Sequence, residues 1–188
     1  MRIIVITPES PRNDEAELSV AMLKMGVDRI HLRHPGCGVA RLRNIIANIP
    51  LKFRSRVTLH DHFELVREFP DIGLNLNSRN SDIPAGAEGI VSRSCHTVDE
   101  TFLPADYCLL SPVFPSISKS GYCHDFSEPE LMSLPPGKVV ALGGVTSERI
   151  PLLKRYPFAG VAVLGSVWTE NTNKATVLSN IAAIIEQK

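Results

Sequence analysis

A single-domain (β/α)8 TIM barrel with some shortened outer helices is the fold that this 188-residue sequence predicts, over residues 1–188. Two observations carry the expectation. Short apolar runs, too brief for helices, recur along the chain with helix-patterned segments between them, which is the pattern of a parallel sheet covered by helices. The last two runs, Val139-Val140-Ala141-Leu142 and Gly160-Val161-Ala162-Val163-Leu164, each lead into glycines, at Gly143-Gly144 and at Gly165. Glycine there leaves backbone N–H groups open to a ligand, and the last two loops of such a barrel are where phosphate is gripped. A ligand carrying a phosphate is therefore expected.

Strands are predicted at Ile3–Ile6, Arg29–Arg33, Arg56–Leu59, Gly73–Leu76, Gly89–Ser92, Tyr107–Leu110, Lys138–Leu142 and Gly160–Leu164. Helical spacing is read at Glu15–Met25, Val39–Ile49, Phe63–Phe69, Val98–Phe102, Pro129–Ser133 and Ser147–Arg155, with Asp14, Thr97 and Ser147 as N-caps. A last helix, Lys174–Glu186, places Val177, Ile181, Ile184 and Ile185 on one face, as an outer helix of a barrel requires. The Ile83–Glu88 linker is too short for a full helix, so some outer helices are expected to shrink to a turn.

Composition limits the function. Apolar residues make up 44 % and charged residues 21 %, which is enough core for a folded domain. Formal net charge is zero and no basic run occurs, which argues against nucleic acid and anionic membrane as partners. With no long apolar stretch and a strand directly after Met1-Arg2, a cytoplasmic enzyme is expected. The four cysteines (Cys37, Cys95, Cys108, Cys123) show no Cys-x-x-Cys spacing and read as reduced, mostly buried thiols.

Chemistry is expected at the carboxyl ends of the strands, where residues two apart face the same way. On the second strand this aims His31 and Arg33 at the barrel mouth, with Ile30 and Leu32 under helices. A guanidinium there suits phosphate or pyrophosphate oxygens, or else a structural ion pair with a nearby Asp. The third strand ends in His60-Asp61-His62. With His31 and His34 these types are able to hold zinc or manganese, although alternation lets at most two of the three converge. Asp61 also suits magnesium shared with a ligand's phosphates. Ser94 and His96 point together after the fifth strand, and an imidazole at a helix start is favoured in its neutral, proton-accepting form. The alternative for His96 is a capping role; Cys95 points away and is the weaker nucleophile. Ser116, Ser118 and Lys119 in the next loop form a hydroxyl-and-ammonium anion cradle, or a merely solvated loop.

The segments Ile30-His31-Leu32-Arg33, Leu59-His60-Asp61, Ser94-Cys95-His96-Thr97, Pro112-Val113-Phe114-Pro115-Ser116-Ile117-Ser118-Lys119, Ala141-Leu142-Gly143-Gly144-Val145 and Gly160-Val161-Ala162-Val163 share the order and spacing of one family. Over nearly its whole length the chain resembles the thiamin phosphate synthase / TenI superfamily. The resemblance implies a barrel enzyme of thiamin biosynthesis that holds thiazole phosphate on Gly143, Gly144, Leu164 and Gly165. The synthase branch couples thiazole phosphate to a pyrimidine pyrophosphate with magnesium and a Gln-x-Arg-x-Lys motif. Its pyrophosphate loop is matched in type by Ser116, Ser118 and Lys119. Here its Gln is His31, its Lys is Pro35, its Asn-Asp pair is His60-Asp61, and its second acidic magnesium ligand falls near Asn80. The TenI branch shares the His-x-Arg of the second strand and tautomerises a thiazole phosphate carboxylate through the histidine of the Ser-x-His motif, His96 here.

Three functions follow from the resemblance. The first is a TenI-type tautomerase that needs no cofactor, with His96 moving the proton and Arg33, Ser116, Ser118 and Lys119 on the substrate carboxylate; Ser94, His31 and His60 join them in the site. The second is a synthase using Mg2+ on Asp61. The third is a non-catalytic sensor of a thiamin-type phosphate. The expected partner is a small phosphate ligand, thiazole phosphate or thiamin phosphate, and exposed apolar helix faces allow a homodimer.

Overall fold

The computed structural model describes residues 1–115, 126–168 and 173–188. Eight parallel strands close into a barrel in sequence order: β1 (Arg2–Ile6), β2 (Arg29–Leu32), β3 (Val57–Leu59), β4 (Gly73–Leu76), β5 (Val91–Cys95), β6 (Tyr107–Leu110), β7 (Val139–Ala141) and β8 (Gly160–Val163). The seam is β1 on β8, with Ile3 opposite Val161 and Val5 opposite Val163. Closure leaves no edge strand among these eight.

The outer helices are uneven, as the short linkers require. Two are long: α1 (Glu15–Met25) and the last, Lys174–Ile185. Between them lie α2 (Val39–Ala47), α3 (Leu51–Arg54), α4 (Glu128–Met132) and α5 (Ile150–Leu153), and the last helix is α6. After β3 and β5 the helix is reduced to a 3₁₀ turn, Phe63–Arg67 and Asp99–Phe102. In α6, Val177, Ile181 and Ile184 are buried, and Ile185 packs against the same core.

Two of the three expected caps differ. The Asp14 carboxylate makes no cap bond because Arg12 holds it at 2.8 Å, and Glu15 instead accepts the Arg12 N–H at 2.9 Å. Ser147 turns its hydroxyl to Glu148, so α5 starts only at Ile150. Thr97 does cap, accepting the Glu100 N–H at 3.3 Å. The fifth strand lies two residues later than expected, because its pairing with β6 sets Ser92 opposite Tyr107 and Cys95 opposite Leu110.

Alternation divides the barrel wall as period 2 requires. Ile30, Leu32, Leu74, Leu76, Cys95, Cys108 and Leu110 face outward under the helices. Ile4, Ile6, Leu109, Val140 and Ala162 face inward. One part of the interior is polar. Tyr107, His31, Thr58, Asn75 and Ser92 are all buried inside the barrel, and His60 is 5 % exposed at the top of this group.

This polar layer corrects the expectation for His31. Its side chain faces inward but is fully buried, below the mouth, because Arg33, two residues on, already stands beyond the strand end. His31 Nε2 meets the Tyr107 hydroxyl at 2.5 Å and Nδ1 meets His60 Nε2 at 2.8 Å. The Asn75 amide nitrogen lies 3.4 Å from His60 Nδ1. An amide nitrogen only donates, so His60 accepts at Nδ1, donates from Nε2 to His31 Nδ1, and His31 donates from Nε2 to Tyr107. Burial pushes the pKa of His31 well down, helped by the neighbouring His60 and Arg29. Burial also lowers His60 to about 3, with further contributions from Arg33, Arg79 and His34.

Both imidazoles are thus neutral when folded and free to protonate when unfolded, from the ordinary value of 6.5 downward. The unfolded chain binds more protons in that window, so stability is complete above about pH 6.5 and is lost as pH falls toward about 3. The loss is expected to approach about 1.4 kcal/mol per pH unit for each histidine. Urea unfolding at a series of pH values checks this; a stability flat between about pH 6.5 and about pH 4.5 contradicts it.

Candidate active site

A cleft of ≈ 830 Å³ opens at the carboxyl ends of the strands. Its apolar floor comes from Ile6, Leu142, Ala162 and Leu164, with Trp168 at the side. Trp168 is held by its indole N–H, which donates to the Ile6 carbonyl at 2.8 Å. The polar wall carries Arg33, His60, Ser94, His96 and Gly143, Gly144 and Gly165. The structure therefore gathers most of the expected residues around one space, with His31 beneath it.

The glycine loops are built for close approach. Gly143 and Gly144 adopt φ of +94° and +61°, where a side chain is strained. A Cβ on Gly144 would also stand 2.4 Å from the Pro115 carbonyl oxygen, and one on Gly143 2.7 Å from Pro112 Cα. The Gly144 carbonyl accepts from the Arg149 guanidinium at 2.8 Å, which fixes the loop. Among the described residues, the N–H groups of Gly144, Val145, Gly165 and Ser166 donate to no backbone carbonyl. The Ser166 hydroxyl is buried with no partner. Unfilled donors on two adjacent loops are what an oxyanion needs.

His96 stands at the end of β5, exposed on the cleft wall. Its Nδ1 is 2.9 Å from the Ser111 carbonyl oxygen. A carbonyl only accepts, so Nδ1 carries the hydrogen, and in the neutral ring the lone pair then lies on Nε2. The helix expected to follow is a single 3₁₀ turn with little dipole, so the Ser111 contact, rather than a helix end, selects the tautomer. The His96 N–H donates to Glu100 Oε2 at 2.5 Å, which anchors the backbone. Ser94 accepts from the Asn75 amide at 2.9 Å, tying this wall to the buried layer.

Arg33 pairs with Glu9 at 2.9 Å, and its own N–H is received by Thr7 Oγ1 at 3.0 Å. The ion pair is thus present, with Glu9 as the partner rather than an aspartate, while Arg33 also lines the cleft. Ser116, Ser118 and Lys119 lie outside the described residues.

The suggested metal groupings do not assemble. His31 and His60 bond to each other, while His62 turns outward to the Cys37 carbonyl at 2.6 Å and Glu64 at 3.1 Å. His62 takes the left-handed conformation, φ 56°, which breaks the strand's alternation. His34 is buried against Glu15 at 2.5 Å, away from that group. Asp61 Oδ1 receives Arg79 Nη2 at 3.2 Å and lies 3.5 Å from the Asn80 amide. Its Oδ2 is buried with no hydrogen-bond partner. Among the described residues no three His, Cys, Asp or Glu side chains converge on one point. A divalent cation on Asp61 has an amide where a second carboxylate is needed and a guanidinium already on its oxygen, so these residues do not fit magnesium.

The sequence reading missed Arg79, Arg93, Asn75 and Tyr107. Arg79 directly precedes Asn80, the position the sequence had singled out. A tyrosine and an asparagine at inward strand positions were the available signals for the other interior pair.

A model of the family described as thiamine monophosphate synthase (TMP-TENI) matches residues 3–167. The chain belongs to this family. Membership makes it an enzyme of thiamin biosynthesis by family. The thiamine-phosphate synthase of Methylobacillus flagellatus is 24 % identical over 185 residues, covering 89 % of this chain and 87 % of that protein. The thiamine phosphate pyrophosphorylase structure from Bacteroides thetaiotaomicron is 29 % identical, with a TM-score of 0.84 over 100 % of this chain and 97 % of that one. A thiamine phosphate pyrophosphorylase from Pyrococcus furiosus, 19 % identical, shares the fold with a TM-score of 0.76, covering 99 % of this chain and 94 % of that one. No helix among the described residues is long and apolar enough to cross a membrane.

Gly144→Ala is expected to weaken binding of inorganic phosphate at least about tenfold, the worth of one charge-assisted contact. Calorimetric titration of the folded variant against the parent protein reads it. Equal affinities would place the phosphate elsewhere.

Proposed function

We propose that this protein is a thiazole phosphate carboxylate tautomerase of the TenI type. The observation that carries the reading is the His96 imidazole, its Nδ1–H given to Ser111 and its Nε2 lone pair left free on the wall of a phosphate-type cleft.

In this reading the substrate's phosphate lies on the N–H groups of Gly144 and Gly165 and their neighbours. The thiazole ring lies on Leu142, Leu164 and Trp168, which exclude water from one of its faces. Arg33, with Ser116, Ser118 and Lys119, draws the carboxylate to the opposite wall. His96 Nε2 takes a proton from the non-aromatic ring and returns one at the far end of the conjugated system. Nothing is oxidised or reduced, and the sulfur, phosphate and carboxylate stay in place. The Ser111 carbonyl stabilises the transient imidazolium by holding its other N–H. Ser94, oriented by Asn75, donates a hydroxyl hydrogen to the ring as charge builds on it.

A synthase reading is favoured by one observation, the names of the two relatives at 24 % and 29 % identity. Against it stand Pro35 and Asn80, where the coupling reaction wants a lysine and a carboxylate, and Asp61 bound to Arg79.

His96→Ala is expected to lower kcat for aromatisation by about 10² to 10⁴-fold with KM changed little, the usual worth of one acid–base group. Absorbance of the aromatic product follows the reaction. Undiminished kcat in the variant rejects His96 as the base.

A further inference from the structure

Arg33, Arg79 and Arg93 all line the cleft. Two carboxylates that line the same cleft are already engaged. Glu9 holds Arg33, and Glu100 receives the backbone N–H groups of His96 and Thr97. The third carboxylate, Asp61, sits behind Arg79 with its side chain 15 % exposed against 51 % for the arginine. The pair is thus oriented, with the acid at the back and the guanidinium forward. Arg79 Nε and Nη2 both reach Asp61 Oδ1, at 3.4 and 3.2 Å, leaving Nη1 unengaged among the described residues. Asn77 Oδ1 accepts the Arg79 N–H at 3.0 Å and so fixes the turn that presents the side chain.

His60 lies between the two held arginines. Arg33 follows β2 and Arg79 follows β4, the two neighbours of β3, so they flank His60, and both charges add to the burial that lowers its pKa. Arg93 adds a buried Nε with no partner on the β5 side. An oxyanion above His60 would find cations around it and no free carboxylate facing it.

We infer that Arg79, seated on Asp61, is the resident cation of a second oxyanion subsite over His60, flanked on the β2 side by Arg33, and that it does there what a divalent ion would otherwise do. The cleft then takes a ligand with two anionic ends, a phosphate on the glycine loops and a second oxyanion between Arg33 and Arg79, without metal. The inference rests on the cleft being the ligand site of the reading above, and not on the reaction that follows there. It explains why Asn80 stands where a magnesium site wants an acid: a second carboxylate beside Asp61 would neutralise the guanidinium.

Calorimetric titration of the full chain with inorganic pyrophosphate, in EDTA and in excess magnesium, tests it, with inorganic phosphate as the reference ligand. Pyrophosphate is expected to bind with affinities within about threefold in the two buffers. Arg79→Gln should weaken pyrophosphate by roughly tenfold or more while leaving inorganic phosphate, held by the glycine loops, within about threefold. Asp61→Asn should not weaken pyrophosphate, since it removes a negative charge from behind the guanidinium. Arg79 is half exposed, and circular dichroism of each variant keeps a folding defect separate. Pyrophosphate binding that needs magnesium and is lost in Asp61→Asn overturns the inference while leaving the cleft reading intact. Failure of both anions to bind overturns the two together.

Discussion

The hydrogen-bond chain inside the barrel is the constraint on which the rest depends. Tyr107, His31, His60 and Asn75 occupy interior space that apolar side chains usually fill, and a buried polar group left unpaired costs about 1–3 kcal/mol. Each member is paired, and the pairing runs in one direction only, because the Asn75 amide can donate but not accept at His60. That direction fixes both ring tautomers. It also commits Asn75 to two further bonds, from Ser92 at 2.8 Å and to Ser94 at 2.9 Å. The orientation of Ser94 at the cleft is thereby set from deep within the barrel.

Above this layer, two guanidiniums are held by carboxylates on either side of His60. Arg33 pairs with the more exposed Glu9, whereas Arg79 stands in front of the more buried Asp61. The glycine loops complete a cleft lined by arginines and by loop N–H groups, with an apolar floor of Ile6, Leu142, Ala162 and Leu164. Such a site suits a small ring carrying two anionic substituents. His96, the proposed base, faces it with Nδ1 held by a backbone carbonyl rather than by a charged neighbour.

Much of this was legible in the sequence because it follows from period and chain order. Alternating strand and helix patterns gave all eight strands, the fifth a few residues early, and the glycines after the last two pointed to the loops that line the cleft. Alternation also put His31 on the inward side and Leu32 on the outward side. It could not give depth, since depth depends on register between strands, and so His31 was expected at the mouth it lies beneath. His62 escaped alternation through its left-handed backbone, which no local residue announced. Arg79 was hidden for another reason: its partner, Asp61, lies eighteen residues away in sequence and meets it only across the strand ends. Short outer helices were anticipated from linker length, whereas the caps at Asp14 and Ser147 lost to stronger local bonds with Arg12 and Glu148.

The central claim is that this member of the family moves a proton on a thiazole phosphate and does not couple two substrates through a metal. A paired assay on the purified protein tests it most directly. One arm supplies the unstable thiazole carboxylate tautomer in EDTA and follows aromatisation by absorbance. The other supplies thiazole phosphate, pyrimidine pyrophosphate and magnesium and follows pyrophosphate release. Turnover in the first arm alone is the predicted result; pyrophosphate release in the second, with no aromatisation in the first, contradicts it.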